Sequence, residues 1–329
     1  MMIRFLPSRI WSKAVSEQLP PTQCRQIPAA SLPSTRSFST YHAYHSIHDD
    51  YSKSQSNLSV DPSEVHHFNA LASTWWDPHG PSRLLHLMNP LRHDFITYCR
   101  STSFDNGHAR DQKLRYLDVG CGGGIFAESA ARLPLTASVT AIDPSAEVLA
   151  VARAHARRDP LLHKQHERPA QAVDKENTDT FRRLTYLNST VEDLPTPQRD
   201  DDRADIVTAF EVIEHVPRPA SFLNAVTSHV KPGGWLVLST IARTWASYLT
   251  TKVVAESLLR VVPRGTHDWY KYINRDELAN WFSHKEEWAT PVAMGVLYVP
   301  GLGWKFVPNS ERLGNYFFGI QKNSIRESG

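Results

Sequence analysis

The sequence predicts an α/β fold in which helices cover both faces of a mostly parallel sheet. Short segments rich in Val, Ile, Leu and Ala alternate with helix-like segments between residues 114 and 240, an order typical of a parallel sheet. A glycine-rich turn follows the first strand, and acidic residues follow the next two. Because open α/β sheets bind ligands at such strand ends, the pattern also predicts a binding site there.

The composition excludes several classes of protein. The chain has 329 residues, of which 41% are hydrophobic and 21% charged, with a net charge of +2. No apolar run approaches the roughly 18 residues of a membrane-spanning helix, and the charge gives no broad electrostatic footprint for nucleic acid. Cys24, Cys99 and Cys121 form no C-x-x-C pair, which argues against a disulfide scaffold and a cysteine-rich zinc site.

Residues 1–38 differ in composition from the rest of the chain. They contain five basic residues and one acid, Glu17, among many Ser, Thr, Pro and Gln residues. This composition is typical of a mitochondrial presequence, with Arg36 shortly before an expected cut after Phe38. Removing the segment would change the net charge from +2 to −2. A disordered tail is the alternative, and a secretory signal is disfavoured because the segment has no apolar core region.

Residues 39–57 are expected to form a flexible leader, and residues 58–329 the folded domain. The first helix is predicted to begin at Asp61-Pro62-Ser63-Glu64, with Asp61 as N-cap and Glu64 closing a capping box. Its apolar face repeats every three to four residues and comprises Val65, Phe68, Leu71, Ala72 and Trp75. A second, short helix is expected from Asn89-Pro90 through Ile96, within an N-terminal helical extension over 58–110.

Strands and helices then alternate along the chain. The predicted strands are 114–119, 138–142, 185–188, 206–210 and 235–240, and the predicted helices are 126–133, 146–157 and 220–229. Two further strands, 295–300 and 316–321, are expected to pair and to complete a seven-stranded sheet with one antiparallel member. Residues 158–183 are polar and of mixed charge, which predicts a surface insertion. The C-terminal aromatic residues expected in the core are Tyr298, Trp304, Phe306, Tyr316, Phe317 and Phe318.

The glycine-rich turn has the spacing G-x-G-x-G at Gly120, Gly122 and Gly124, and Asp118 lies two residues before it. Glycine permits positive φ and a close approach of a ligand to the backbone. The dinucleotide fingerprint G-x-G-x-x-G needs glycine at position 125, where Ile125 stands, so a nicotinamide dehydrogenase is disfavoured. The turn suits S-adenosylmethionine instead, which has no pyrophosphate and whose amino group is favoured near a carboxylate.

Two further strand ends carry acidic residues. Asp143 ends the second strand, where a carboxylate can accept hydrogen bonds from both ribose hydroxyls. Glu192 and Asp193 follow the third strand, where an acid can receive the adenine amino group. Turn acids that cap helices would explain one or two of these positions, whereas acids after three successive strands predict an S-adenosylmethionine site.

Several blocks of the sequence resemble the ubiquinone biosynthesis O-methyltransferases, which are class I S-adenosylmethionine-dependent methyltransferases. The selective blocks are Trp75-Trp76-Asp77, Asn89-Pro90-Leu91-Arg92 and Pro263-Arg264-Gly265-Thr266-His267-Asp268. The glycine turn and Glu211-Val212-Ile213-Glu214-His215 recur across many methyltransferases and are weaker signals. The resemblance runs from about Asp61 to the C-terminus and implies a Rossmann-like class I methyltransferase fold.

The resemblance implies methylation of a catechol hydroxyl at two steps, on 3,4-dihydroxy-5-polyprenylbenzoate and on demethylubiquinol. It places cofactor contacts at Arg92, Gly120, Asp143 and Phe210, with the Arg92 guanidinium toward the cofactor carboxylate. A mitochondrial version is expected to be peripheral on the matrix side of the inner membrane, with other coenzyme Q biosynthesis proteins as partners. No nucleic-acid partner is expected.

Glu211, Glu214 and His215 have the spacing i, i+3 and i+4, which places them on one face of a helix. Two carboxylates and an imidazole can bind a divalent cation, and hard oxygen ligands suit Mg²⁺, with Zn²⁺ also possible. A metal would favour the phenolate of a catechol, whose pKa is near 10 when free. The resemblance supports a metal, since eukaryotic members are metal-dependent. The same motif also occurs in methyltransferases that bind no metal.

Without a metal the reaction needs a general base, and His215 or His267 is the candidate. The alternative for His267 is a turn in which it only satisfies backbone groups. The apolar residues 245–262, within a segment spanning 244–270, would form an interfacial helix, cover the sheet or line the prenyl pocket. Two competing functions stay open: another small-molecule or C-methyltransferase on this fold, and a non-catalytic member of a biosynthetic complex.

Overall fold

The fold is described from a computed structural model. The described residues are 60–102, 112–162, 178–180, 183–244 and 271–324, with the backbone alone for 178–180. The expected presequence and leader, His267, the 245–262 segment and most of the 158–183 insertion lie outside them. Within the described residues, no helix is both long enough and apolar enough to cross a bilayer.

Nine strands of the described chain form one sheet in the spatial order β3-β4-β2-β1-β5-β6-β9-β7-β8. Their bounds are β1 Leu114–Val119, β2 Thr136–Asp143, β3 Thr178–Thr180, β4 Leu184–Asn188, β5 Ala204–Phe210, β6 Val230–Ile241, β7 Val292–Val299, β8 Gly303–Val307 and β9 Asn315–Gln321. The five central strands β4, β2, β1, β5 and β6 are parallel, and β9 runs antiparallel to β6 and β7. The order reverses beside β1, so a ligand crevice is expected at the carboxyl ends of β1 and β5.

The predicted fold class is confirmed, but the strand count differs from the prediction. Over the described residues the sheet has nine strands rather than seven, and β3, β8 and β9 are antiparallel to the central five. The additional strands β3 and β8 pair antiparallel with β4 and β7 at the two edges. β3 has three residues, too few for a periodic signal. β8 has five and begins at Gly303, and glycine is a residue that strands usually lack.

The described residues contain six α-helices: α1 Pro62–Leu71, α2 Arg83–Ser101, α3 Ile125–Ala131, α4 Ala146–Ala156, α5 Pro219–Ser228 and α6 Arg275–Ser283. α2 begins before the predicted start at Asn89-Pro90. It has 19 residues with Pro90 inside it, so the proline does not mark the first turn of the helix, where it is best tolerated. α1 begins as predicted, since the Asp61 side chain accepts the Ser63 backbone N–H at 2.9 Å. Glu64 closes no capping box, because its carboxylate bonds to His215 and Lys271 instead.

Two apolar layers cover the sheet, since successive strand residues point to opposite faces. On β9, Phe317 joins the layer formed with α2, α3 and α4, whereas Tyr316 and Phe318 join the layer formed with α5 and α6. These three residues are fully buried, which confirms their predicted place in the core. Tyr298 and Trp304 are only half-buried and line a cavity, because the β7–β8 hairpin forms the edge of the sheet.

Candidate active site

The glycine-rich turn between β1 and α3 has the backbone that its sequence predicts. Gly120, Gly122 and Gly124 all have positive φ, at 67°, 54° and 85°. A Cβ at Gly122 would also collide with the ring of Trp75, and a Cβ at Gly124 with the Tyr186 hydroxyl. Gly120 and Gly122 line a cavity of about 700 Å³. Gly124 is not among the described residues that line the cavity, and its close packing against Tyr186 explains why a glycine stands at this position.

Asp118 is buried beside this turn and has one free carboxylate oxygen. Its Oδ1 accepts the Thr208 hydroxyl at 2.7 Å, and its Oδ2 has no hydrogen-bond partner among the described residues. Burial raises the pKa of Asp118 to about 7, while the Thr208 hydrogen bond and Arg92 oppose the rise. An unpaired buried carboxylate oxygen is costly, and a cationic ligand group at this point would offset that cost.

Asp143 lies at the end of β2, as predicted, and organises the loop around it. Its Oδ2 accepts the Gly122 N–H and its Oδ1 accepts the Ser145 N–H, both at 2.9 Å. Burial raises the pKa of Asp143 to about 6, and the two backbone hydrogen bonds oppose the rise. Each oxygen keeps a second lone pair, so the carboxylate can also receive a diol from the cavity.

The two acids after the third predicted strand do not line the cavity. The wall there consists of Ser189, Thr190 and Val191. Asp193 is exposed and accepts the Thr190 hydroxyl at 2.8 Å, and the buried carboxylate oxygens of Glu192 have no hydrogen-bond partner among the described residues. Neither acid is among the described residues that line the cavity, so the adenine contact of Glu192 or Asp193 stays a prediction.

Arg92 and Phe210 meet on the floor of the cavity. The Arg92 side chain extends from α2, and its Cζ lies 4.9 Å from the centroid of the Phe210 ring. Burial lowers the pKa of Arg92, while the carboxylates of Glu211 and Asp118 oppose the fall. Arg92 Nε has no hydrogen-bond partner among the described residues. A buried guanidinium with an unused donor beside a ligand cavity is suited to a carboxylate.

The Glu211, Glu214 and His215 motif does not form the predicted helical face. Glu211 has a φ of +56°, and only Ile213–His215 form a 3₁₀ turn. The two carboxylates accept separate hydroxyls, Glu211 from Ser239 at 2.6 Å and Glu214 from Thr240 at 2.9 Å. In the described parts of the chain, no three His, Cys, Asp or Glu side chains are grouped so that they could hold a metal ion. The residues as placed therefore do not fit the predicted ion.

His215 has a partner that the sequence did not reveal. Its Nδ1 lies 3.0 Å from Glu64 Oε2, and its ring meets Phe68 of α1 edge-on at 5.1 Å. The hydrogen bond with His215 lowers the pKa of Glu64 to about 2. Burial lowers the pKa of His215, but the Glu64 hydrogen bond and nearby carboxylates outweigh it and raise the pKa overall. The two residues are 151 positions apart, so no local pattern could have joined them.

The Trp-Trp-Asp block supports the glycine turn from the N-terminal extension. Trp75 packs against Gly122 and Gly123 so closely that neither glycine has room for a Cβ. The indole N–H of Trp76 donates to the Gly123 carbonyl at 2.8 Å, and its ring stacks on His155 at 3.4 Å. The sequence marked this block only by resemblance, and the structure supplies its physical role.

Known proteins resemble this chain over most of its length. A methyltransferase domain family model matches residues 91–285. The mitochondrial ubiquinone biosynthesis O-methyltransferase of Candida albicans is 40% identical over 303 residues, which cover 80% of this chain and 86% of that protein. Its namesake in Schizosaccharomyces pombe is 42% identical over 282 residues, which cover 84% and 92%.

A bacterial relative and a solved structure extend the comparison. The ubiquinone biosynthesis O-methyltransferase of Hydrogenovibrio crunogenus is 36% identical over 273 residues, covering 81% of this chain and 95% of that protein. The plantazolicin methyltransferase BpumL, solved with SAH, has a TM-score of 0.50 at 15% identity over 79% of this chain and 97% of its own, which shows a shared fold. The glycine turn, the buried acids and the relatives that match over most of their length all agree. The chain therefore belongs to the ubiquinone biosynthesis O-methyltransferase family.

Proposed function

We propose that this chain transfers the methyl group of S-adenosylmethionine to a catechol hydroxyl of a polyprenylated dihydroxybenzoate and of a demethylubiquinol. The observation that carries the proposal is the cavity at the ends of β1, β2 and β5, which brings Arg92, Asp118 and Asp143 around Gly120 and Gly122. The cavity volume is within the usual range for small-molecule sites. The family relatives are named for O-methylation in ubiquinone biosynthesis, which supports this acceptor.

The residues fit the cofactor by charge. The unpaired Asp118 Oδ2 suits the amino group, the Arg92 guanidinium suits the carboxylate, and Asp143 suits the ribose hydroxyls. Phe210 offers an aromatic wall beside them. When bound, S-adenosylmethionine supplies an electrophilic methyl group on a sulfonium centre, and the protein supplies the binding, the orientation and the proton acceptor.

We assign the proton transfer to His215. Because Glu64 is held ionised, His215 donates Nδ1–H to it, and the lone pair of Nε2 is left to accept a proton. Nε2 takes the phenol proton as the oxygen–methyl bond forms and the sulfur–methyl bond breaks. The products are the methyl ether and S-adenosylhomocysteine, and the proton leaves His215 to solvent. Burial opposes but does not cancel the rise in the pKa of His215 that Glu64 and the nearby carboxylates cause, and a higher pKa makes the deprotonated ring a stronger proton acceptor. His267 remains a predicted base outside the described residues.

We also propose the cellular setting that the N-terminus suggests. Residues 1–38 would be a mitochondrial presequence, 39–57 a leader, and 58–329 the methyltransferase domain. The domain would lie on the matrix side of the inner membrane, beside other proteins of coenzyme Q synthesis. The composition of residues 1–38 and the mitochondrial names of the two yeast relatives support this setting.

The proposed function is tested with labelled S-adenosylmethionine and a 3,4-dihydroxybenzoate that carries a short prenyl chain. The wild-type chain should methylate one hydroxyl, and the His215→Ala variant should lose at least about a hundredfold in kcat, the usual contribution of a general base. The His229→Ala variant is a matched control, because His229 is buried away from the cavity.

A chelator arm in the same assay tests the predicted Mg²⁺ or Zn²⁺. Activity that disappears with chelator and returns with added metal would mean that Glu211, Glu214 and His215 rearrange around an ion. No transfer to any catechol, with S-adenosylmethionine still bound, would contradict the proposed reaction and favour the C-methyltransferase or non-catalytic alternative.

A further inference from the structure

The cavity has an apolar half that the cofactor residues do not use. The charged residues among its described lining belong to three places. They lie at the start of α1, at Arg92 on α2, and at or just beyond the ends of β1, β2 and β5. The other part of the wall comes from α2, from the β7–β8 hairpin and from the loop before β9. The residues that form it include Leu85, Met88, Leu297, Tyr298, Trp304 and Leu313. An apolar cavity wall of this kind favours a hydrocarbon ligand.

Specific contacts hold this wall in place. The indole N–H of Trp304 on β8 donates to the Leu84 carbonyl of α2 at 2.9 Å, which ties the hairpin to the helix within the cavity wall. The rings of Trp304 and Tyr298 meet edge-on at 5.5 Å. Leu297 packs beside Gly314: a Cβ built on that glycine would lie 3.9 Å from the Cδ2 atom of Leu297. The apolar half is therefore a preformed space rather than a gap between loose side chains.

The apolar half opens near exposed leucines. Leu313, in the cavity wall, is 49% exposed, and Leu302, at the tip of the β7–β8 hairpin, is 68% exposed. Gly301 and Gly303 flank Leu302 with positive φ, and the Leu302 N–H donates to the Val299 carbonyl at 2.9 Å. A tail that is longer than the cavity can leave the protein along this apolar edge.

We propose that this half of the cavity is the binding site for the isoprenoid tail of the acceptor, between α2 and the β7–β8 hairpin, with its exit at Leu313. The inference rests on the proposed function, since it names the part of the acceptor that the same cavity takes. The aromatic head would then face His215, and the tail would fix its direction.

The Leu313→Glu variant tests the tail site, with Leu161→Glu as its matched control. Both leucines are exposed, Leu161 at 65%, so neither change removes a core side chain, and Leu161 does not line the cavity. Acceptors with no, one and four isoprenoid units are compared in detergent and in phosphatidylcholine vesicles. We expect Leu313→Glu to raise KM for the four-unit acceptor at least about tenfold, the scale of one misplaced group in an apolar pocket. The tail-less acceptor should change less than about twofold, and the control not at all.

A binding measurement separates the tail site from the reaction. The ligand is a prenylated benzoate whose two hydroxyls are already methylated, titrated calorimetrically with S-adenosylhomocysteine present. In the wild type, binding should become tighter with each added isoprenoid unit. This gain should be lost in Leu313→Glu and reduced for long tails in Leu297→Phe. These results would support the tail site even if no catechol is methylated. Equal effects on all tail lengths overturn it. A defect seen only with vesicles also overturns it and assigns Leu313 to lipid contact.

Discussion

At the scale of single residues, the site is a set of buried charges that lack full partners. Asp118 and Asp143 both have a pKa raised by burial, to about 7 and about 6. A carboxyl whose folded-state pKa exceeds its unfolded value holds an extra proton in the native state between the two values, so stability declines there as pH rises. A cationic ligand reverses the effect locally, because it favours the ionised carboxylate.

This coupling predicts a pH dependence of cofactor binding. If the amino group of S-adenosylhomocysteine needs ionised Asp118, the dissociation constant should fall about tenfold from pH 6 to pH 8, as expected for a pKa near 7. Isothermal titration across that range measures it. The Asp118→Asn variant should bind more weakly and with a flat profile, whereas Asp193→Asn, at an exposed acid, should keep the wild-type slope. An unchanged slope in Asp118→Asn would disprove the assignment.

At the scale of elements, the N-terminal helices and the glycine turn act as one unit. Trp75 fills the space that the absent Cβ atoms leave, and Trp76 holds the Gly123 carbonyl. The turn that would carry the cofactor is thus supported by a segment about 45 residues earlier in the chain. α1 lies just before this segment in the chain and carries Glu64, which orients His215. The N-terminal helices therefore support both the glycine turn and His215.

Replacing Trp76 by Phe tests the support that this side chain gives the glycine turn. An aromatic ring is kept, but it is smaller than the indole, and the N–H to the Gly123 carbonyl is lost, so we expect a loss of at least about 1 kcal/mol in the free energy of unfolding and weaker cofactor binding. Urea unfolding and titration of S-adenosylhomocysteine measure the two effects. Trp281→Phe, at a half-buried indole outside the cavity lining, should leave cofactor affinity unchanged; equal affinity losses in both variants would contradict the supporting role.

Regular elements were predictable, and side-chain directions were not. The bounds of β1 agree with the predicted strand 114–119, because an apolar run ends there at a glycine turn. The same reasoning was wrong on the capping role of Glu64, where the residue position was right but the side chain bonds to His215 and Lys271 instead. Direction depends on contacts such as Glu64 with His215, which join distant parts of the chain and leave no local periodicity.

At the scale of the whole molecule, cofactor binding has a thermodynamic test. A ligand at a hundredfold its dissociation constant stabilises the native state by about 2.7 kcal/mol, or about 5–10 °C in Tm for a domain of this size. We expect S-adenosylhomocysteine to give such a shift in calorimetry. NAD at the same concentration should give none, because Ile125 replaces the third fingerprint glycine. A shift with NAD would reopen the dehydrogenase reading.

The position of β9 has a consequence for how the chain folds. Among the described strands this one is the last in sequence, yet it lies inside the sheet between β6 and β7. Trp304 and Leu84, which bond to each other in the cavity wall, are 220 residues apart. Until the ribosome has released β9, β6 has an unpaired edge that can associate with other chains. Such non-local pairing slows folding. The protein should therefore depend on chaperones while it is synthesised, and a truncation that removes β9 should cause aggregation rather than partial activity.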